Sequence, residues 1–209
     1  MKNKLNEILN TTSKVKIIRL FVSKRKDFYA TGREVGKQSG LSAPAAHNAL
    51  KDLYNHNILN RDIIGKQHLY RLNAKNRIVK DILIPAFRKE LDTKKDISKF
   101  LRKEISANNL KDRILSLMVY GSVARNRVSE TSDVDIAVIV KEEKDKMDVE
   151  KIFIEVISSK FSEYFGVQLD PYIKTETEFL KKIRENKPPV STLVKAYKMV
   201  YGKDPLEIS

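Results

Sequence analysis

The sequence predicts an α/β (α+β) protein made of two modules. The charge distribution, a succession of helices that ends in a hairpin, and two apolar strands around a polar turn all favour this fold class. The chain has 209 residues and a formal net charge of +14. Residues 1–75 hold 15 Lys and Arg against 5 Asp and Glu, whereas the remaining residues hold 26 against 22. A basic module beside a nearly balanced one indicates that the first module faces a polyanion.

The composition excludes several classes of protein and of site. The chain has no Cys, so it has no disulfide framework, thiolate metal site or cysteine nucleophile. All three histidines lie in residues 1–75, and a metal bound by the rest of the chain therefore needs oxygen ligands, which favours Mg²⁺. No run of 18 apolar residues and no apolar signal peptide occur, so we expect a soluble, cytoplasmic protein that does not enter a membrane.

The first third predicts helices followed by a hairpin. Ser42 is a helix cap with Pro44 in the first turn, and the apolar residues that follow recur at helical spacing. Two β-prone runs flank a turn at Gly65 and indicate a hairpin. Thr12 or Ser13 is the expected cap of the second helix. The predicted elements are helices over about residues 5–9, 14–25, 32–38 and 42–55, and strands over 58–64 and 67–72.

The stretch from Thr31 to Asn73 resembles the winged helix-turn-helix family, above all in Gly40-Leu41-Ser42 and in the hairpin that ends at Leu72. The resemblance implies binding of double-stranded DNA, with the helix that begins at Ser42 in a major groove and the wing against the backbone or the minor groove. Winged helices also serve as protein–protein modules, and that alternative stays open. The residues expected to face DNA are Ser42, His47, Asn48, Lys51 and, at the wing tip, Lys66.

Residues 76–108 predict a helical connector between a first domain over 1–75 and a second over 109–209. Apolar residues at helical spacing indicate two helices with a break near residues 91–96. Their amphipathic stripes fit packing on either module or the seam of a homodimer, and the sequence does not choose between these.

An apolar strand over residues 114–119 runs into Gly121 and Ser122 and then into a helix start. Gly121 lets the backbone approach a ligand without a Cβ in the way. Ser122 offers a hydroxyl and an N–H to phosphate oxygens, and Arg125, about one turn later, adds a positive charge. We therefore expect these three residues to form a cradle for phosphate.

Asp133 and Asp135 begin a second apolar strand. Side chains alternate along a strand, so the two carboxylates project from one face while Val134 and Ile136 point to the other. Two adjacent carboxylates repel each other unless a cation lies between them. The pattern predicts a divalent metal site beside a phosphate cradle, which suits phosphoryl or nucleotidyl transfer.

Gly121-Ser122, Arg125 and Asp133-x-Asp135 together resemble the nucleotidyltransferase superfamily that includes DNA polymerase β, and in particular its small, minimal branch. The resemblance implies a polymerase β-like domain with a short mixed sheet. It also implies that the Gly-Ser turn holds a triphosphate and that the aspartate pair binds Mg²⁺.

The same family has a third carboxylate on a following strand, where it acts as a base or a metal ligand near the acceptor. The residue that matches is Asp170, which follows an amphipathic helix over about 149–165. Pro171 beside it predicts an edge strand. The chain departs from the family's usual glycine after the arginine, where it has Asn126.

The resemblance implies transfer of a nucleoside monophosphate, with ATP as the expected donor and pyrophosphate as the product. Minimal nucleotidyltransferases modify partner proteins in toxin–antitoxin pairs, and relatives modify antibiotics or nucleic acid ends. The short chain favours a protein acceptor or a partner subunit that completes the site. The alternative is a transcriptional regulator whose winged helix binds an operator, while the transferase-like domain senses a nucleotide or mediates dimerisation.

Overall fold

The computed structural model describes residues 4–124 and 133–208. Contacts divide the chain into two compact units, Met1–Thr93 and Lys94–Ser209. The residues predicted as a connector, 76–108, are shared between the two units. None of the described helices is long and apolar enough to cross a membrane.

The first unit has the winged helix arrangement, as its sequence predicts. Its three strands form an antiparallel sheet of order β1–β3–β2, and the wing is the β2–β3 hairpin. A π-helical turn over Val79–Leu83 precedes the last helix. The elements are α1 (Lys4–Leu9), α2 (Thr12–Ser23), β1 (Tyr29–Thr31), α3 (Gly32–Ser39), α4 (Ala43–Asn55), β2 (Leu59–Ile64), β3 (Gln67–Leu72) and α5 (Ile84–Leu91).

Local capping chemistry fixes the helix boundaries of the first unit. The Ser42 hydroxyl accepts a hydrogen bond from the Ala45 N–H and begins α4, as predicted. Gly40 ends α3 with a φ of 62°, a left-handed conformation that suits glycine. The predicted cap of α2 is wrong, since the Thr11 side chain fills that role and the helix ends at Ser23.

A buried lysine ties α2 to α4. Lys14 donates from Nζ to the Glu7 carbonyl at 2.5 Å and forms an ion pair with Asp52. A second cationic partner is available when His56 is protonated, because its Nε2 lies 3.5 Å from Asp52. The acidic residue on α4 is therefore neutralised within the fold, which leaves that helix less repulsive to a polyanion.

The second unit is built on a mixed sheet of order β6–β5–β4–β7, in which β5 and β6 are parallel and the other neighbours antiparallel. The helix expected over about 149–165 begins earlier, at Glu143, and a π-helical turn over Phe153–Ile157 joins its halves. The elements are α6 (Thr93–Ala107), β4 (Ile114–Val119), α7 (Gly121–Ala124), β5 (Val134–Val140), α8 (Glu143–Ile152), α9 (Ser158–Phe165), β6 (Leu169–Thr175), α10 (Glu176–Arg184), α11 (Val190–Leu193) and β7 (Lys198–Gly202).

Both faces of the central strand β5 are covered. Val134, Ile136 and Val138 belong to a core with residues of α6, α8 and α9. Ala137, on the opposite face, packs in a second core with Phe179 of α10. By the same alternation, Asp135 lies on the Ala137 face of the sheet.

Candidate active site

Four strand ends meet at one end of the second unit's sheet. β4 ends there, whereas β5, β6 and β7 begin there, because β5 and β7 run antiparallel to β4 and β6 runs parallel to β5. The order across this end is Asp170 on β6, Asp135 on β5, the Gly121 turn after β4, and Lys198 on β7. The topology thus places two acidic residues on one side of the turn and a basic residue on the other.

Asp135 and Asp170 are direct register partners on the parallel strands β5 and β6. Register partners project from the same face, and neighbouring strands lie about 4.8 Å apart. Asp135 is half-buried and Asp170 is exposed. β6 is an edge strand, as Pro171 predicts. The two carboxylates are therefore neighbours on one face, with Asp170 on the solvent side.

Gly121 brings the turn against the Asp135 carboxylate. Its φ is 71°, and a Cβ at this position would overlap Oδ2 of Asp135 and lie 2.9 Å from its Cγ. The backbone N–H before the turn, that of Tyr120, donates to the Asp135 carbonyl at 3.0 Å. A glycine is required here because any side chain would displace the carboxylate.

Three further residues belong to the predicted site. Asp133 is exposed and directly precedes β5, while Ser122 follows Gly121 and is half-buried. Arg125 lies outside the described residues. Within the described parts of the chain, no group of three or more His, Cys, Asp or Glu side chains is arranged to hold a metal ion.

The Asp135–Asp170 pair nonetheless fits Mg²⁺ by its donor chemistry. Both side chains supply hard carboxylate oxygens, and the missing Cβ of Gly121 leaves the space that the Asp135 carboxylate occupies. Mg²⁺ is usually bound through one or two protein carboxylates together with substrate phosphates and water. A complete all-protein ligand set is therefore not needed for this ion.

Tyr120 is a site residue that the sequence pattern did not single out. It is half-buried between the end of β4 and the turn. Burial first, and then the charges of Asp135 and Asp170, raise the pKa of Tyr120 to about 12, because ionisation would add a third negative charge beside the pair. Its phenol is a hydrogen-bond donor at neutral pH. Its place directly before the Gly-Ser turn is the signal that points to it.

The residues predicted to face DNA are exposed or lie at exposed turns in the first unit. His47, Asn48 and Lys51 lie on the outer face of α4, away from the buried Ala46, Leu50 and Leu53. Ser42 caps the same helix, and Lys66 lies in the turn of the wing. Arg61 of the wing, which the sequence pattern did not single out, places its guanidinium 4.5 Å from the Tyr54 ring centre. These residues share one unit, and their contact with DNA stays a prediction.

The family model described as "Polymerase beta, Nucleotidyltransferase" matches residues 95–204. This range is more than half of the chain and lies within the second unit. The chain therefore belongs to this nucleotidyltransferase family, which confirms the resemblance carried by Gly121-Ser122 and the two aspartates.

Two relatives come from Methanocaldococcus jannaschii. The chain is 30% identical over 95 residues to "Putative protein adenylyltransferase MJ1305", a match that covers 44% of this chain and 62% of that protein. It is 34% identical over 82 residues to "Putative protein adenylyltransferase MJ0141", which covers 39% of this chain and 80% of that protein. The chain thus spans less than two thirds of the length of the first relative.

Two solved structures are similar to part of the chain. One is the AntR antimony-specific transcriptional repressor, with 15% identity, a TM-score of 0.36, and coverage of 44% of this chain and 78% of that one. The other is a "Possible transcriptional regulator from Methanosarcina mazei Go1", with 18% identity, a TM-score of 0.32, and coverage of 44% and 82%. Similarity at this level does not assign a function.

Proposed function

We propose that the protein is an Mg²⁺-dependent nucleotidyltransferase that transfers AMP from ATP to an acceptor. The observation that carries the proposal is the register pairing of Asp135 with Asp170 beside the Gly121 turn. This arrangement joins a place for phosphates to a pair of acidic groups at one end of a sheet. Such a site needs no side-chain nucleophile, because positioning and charge neutralisation supply most of the rate in this class of reaction.

The proposed residues form two sets, one that binds the triphosphate and one that binds Mg²⁺. The backbone of Gly121 and the hydroxyl of Ser122 are proposed to bind the triphosphate, with Arg125 as a further cation in the proposed set. Asp133, Asp135 and Asp170 are the acidic residues proposed for the Mg²⁺ site, and the strand register brings Asp135 and Asp170 together. When bound, Mg²⁺ would neutralise charge on the phosphates and polarise the acceptor oxygen.

Asp170 is the residue best placed to meet the acceptor. It lies on the exposed edge strand, so an acceptor hydroxyl can reach it from solvent while the triphosphate lies at the turn. In the transfer, the acceptor oxygen forms a bond to the α-phosphorus and the bond to pyrophosphate breaks. The hydroxyl proton passes to the Asp170 carboxylate, which acts as the general base.

The names of the two archaeal relatives support adenylyl transfer to a protein. A protein acceptor also fits the exposed position of Asp170 on the edge strand, which leaves the acceptor side of the site open. A partner protein, including a toxin–antitoxin partner, is therefore the acceptor class that we propose to test first.

Transfer is tested by incubating the full-length protein with ATP labelled at the α-phosphate, Mg²⁺ and extract of the source cells. We expect label on a macromolecule, and loss of that label when Mg²⁺ is chelated or when the protein is Asp133→Ala/Asp135→Ala. Label that persists in the double variant contradicts the assignment of these carboxylates. Absence of label with every nucleoside triphosphate contradicts the proposed activity.

The second candidate function is DNA-binding regulation through the first unit, alone or together with transfer. The observation in its favour is the exposed polar face of α4, whose acidic Asp52 is paired with Lys14. In this function the transferase-like unit senses nucleotide or mediates homodimer formation.

We expect Lys51→Ala/Lys66→Ala to weaken binding to duplex DNA and to lower the salt dependence of that binding. Each lost phosphate contact removes about 0.9 from the slope of log affinity against log salt concentration, so two contacts remove about 1.8. Fluorescence anisotropy with a duplex over a salt series measures the slope. Lys16→Ala/Lys80→Ala is the matched control, since both lysines lie off α4 and the wing. Equal slopes for the two variants contradict DNA contact by this face.

A further inference from the structure

A basic groove lies between α6 and the edge strand β7 of the second unit. Its volume is about 290 Å³. It begins at the same end of the sheet as the Gly121 turn, because Lys198 is the register partner of Val119. The groove is lined by Lys95, Ser98, Lys99, Arg102, Lys198 and Met199.

The cations of the groove follow from the amphipathic pattern of α6. Ile97 and Leu101 face the core, whereas Lys95, Lys99 and Arg102 recur at helical spacing on the groove side. Lys95 and Arg102 are separated by seven residues, which is about 10 Å along a helix. The stripe is therefore long enough to contact more than one phosphate of a chain.

The groove has little negative charge of its own. Among the described residues, Lys99 and Lys198 have no ion-pair partner. Arg102 donates from Nε to the Val200 carbonyl at 2.6 Å, which holds the guanidinium over the edge strand. Burial, and then the charge of Lys198, lower the pKa of Lys94, which precedes the groove on α6.

The opposite flank of α6 carries an exposed aromatic platform. Phe100 lies there, and the Tyr164 ring of α9 stacks on it at 5.9 Å between ring centres with 22° between the planes. Tyr164 is 67% exposed. Cations that track a backbone, together with an exposed ring on which a base can stack, are the features of proteins that bind single strands.

We propose that the basic groove binds the phosphodiester backbone of a single-stranded nucleic acid, and that the strand continues across α6 so that one base outside the groove stacks on Tyr164. The groove lies on the α6 side of the sheet, whereas Asp135 lies on the opposite face. A polymer fits these positions better than a nucleotide that is held at the turn. The proposal concerns binding and does not depend on nucleotide transfer.

The test uses the full-length protein carrying Lys51→Ala/Lys66→Ala, so that the α4 and wing lysines do not contribute. Anisotropy of a labelled single-stranded oligonucleotide of mixed sequence is measured over a salt series. Lys99→Ala/Lys198→Ala is expected to lower the slope of log affinity against log salt by about 1.4, at about 0.7 for each contact to a single strand. Lys111→Ala/Lys151→Ala, with two exposed lysines outside the groove, is expected to leave the slope unchanged.

A second arm tests the aromatic platform. It compares the oligonucleotide with pyrophosphate, which has phosphates but no base to stack. Tyr164→Ala is expected to weaken oligonucleotide binding about fivefold or more, which corresponds to about 1 kcal/mol for one stacked base. Pyrophosphate binding, measured by calorimetry, is expected not to change in Tyr164→Ala. The proposal is overturned if Lys99→Ala/Lys198→Ala and Lys111→Ala/Lys151→Ala bind the oligonucleotide with the same salt slope. This holds whether or not the groove variant loses pyrophosphate binding. Lys198→Gln alone, with half the slope change expected, serves if the double variant does not fold.

Discussion

Asp135→Asn is expected to reduce the rate of nucleotidyl transfer by about three orders of magnitude, since charge stabilisation at a reacting centre contributes about 10²–10³ per group and more where a metal ligand is lost. The substitution keeps the shape of the side chain that lies against Gly121 but removes its negative charge. The initial rate of label transfer from ATP, measured over a range of Mg²⁺ concentrations, gives the effect. A shift to a higher Mg²⁺ requirement is expected to accompany it.

Asp112→Asn is the matched control, because Asp112 is exposed and precedes β4 at the far end of the sheet. It is expected to leave the rate unchanged. Asp170→Asn separates the roles of the pair, since loss of the general base lowers kcat while the KM for ATP stays close to its normal value. An Asp135→Asn protein within tenfold of the wild-type rate would contradict the assignment of this site.

The face of β5 from which each side chain projects can be predicted from the sequence. Alternation along a strand is a property of the backbone, so the placement of Val134 and Ile136 opposite Asp135 can be read from residue order alone. The structure bears this out, because both apolar residues lie in one core and Asp135 does not. The predicted start of the strand at Asp133 is one residue too early, since β5 begins at Val134.

The long-range half of the site cannot be derived in this way. The pairing of Asp135 with Asp170 depends on the parallel register of β5 and β6, which the intervening crossover helices set. The sequence supports Asp170 only through chain order and the family resemblance. The basic groove could not be predicted from local sequence for the same reason, since Lys198 and α6 meet only when the sheet has formed.

Capping residues show where the local sequence is enough to predict the start of a helix and where it is not. Ser42 is a strong cap directly before an apolar periodic segment, and it caps α4. Thr11, Thr12 and Ser13 are consecutive cap formers, so capping preference cannot choose among them. Packing decides instead, because Ile17 and Ile18 of α2 are fully buried and fix the rotation of the helix.

Gly121→Ala is expected to remove activity. We expect it to lower the free energy of unfolding little more than Gly→Ala at any other glycine with a left-handed backbone. The φ of 71° costs an alanine about 1–2 kcal/mol. The three atoms nearest to the new Cβ belong to the Asp135 side chain, and none is a backbone atom. The fold therefore tolerates the change, whereas the displaced carboxylate loses its place in the site. We expect at least a hundredfold loss of transfer rate, since a misplacement of about 1 Å can cost that much.

Two other glycines of the same unit serve as controls for Gly121→Ala. Gly166 has the same φ of 71°, and a Cβ added there would meet nothing within 4 Å, so Gly166→Ala is expected to cost about 1–2 kcal/mol of unfolding free energy and no activity. At Gly202 a Cβ would overlap the Leu115 carbonyl and lie 2.7 Å from its carbon, so Gly202→Ala is expected to be the least stable of the three. Urea denaturation and the transfer assay measure both effects. If Gly121→Ala loses activity only in proportion to its loss of folded protein, then the close approach of the turn to Asp135 is structural rather than catalytic.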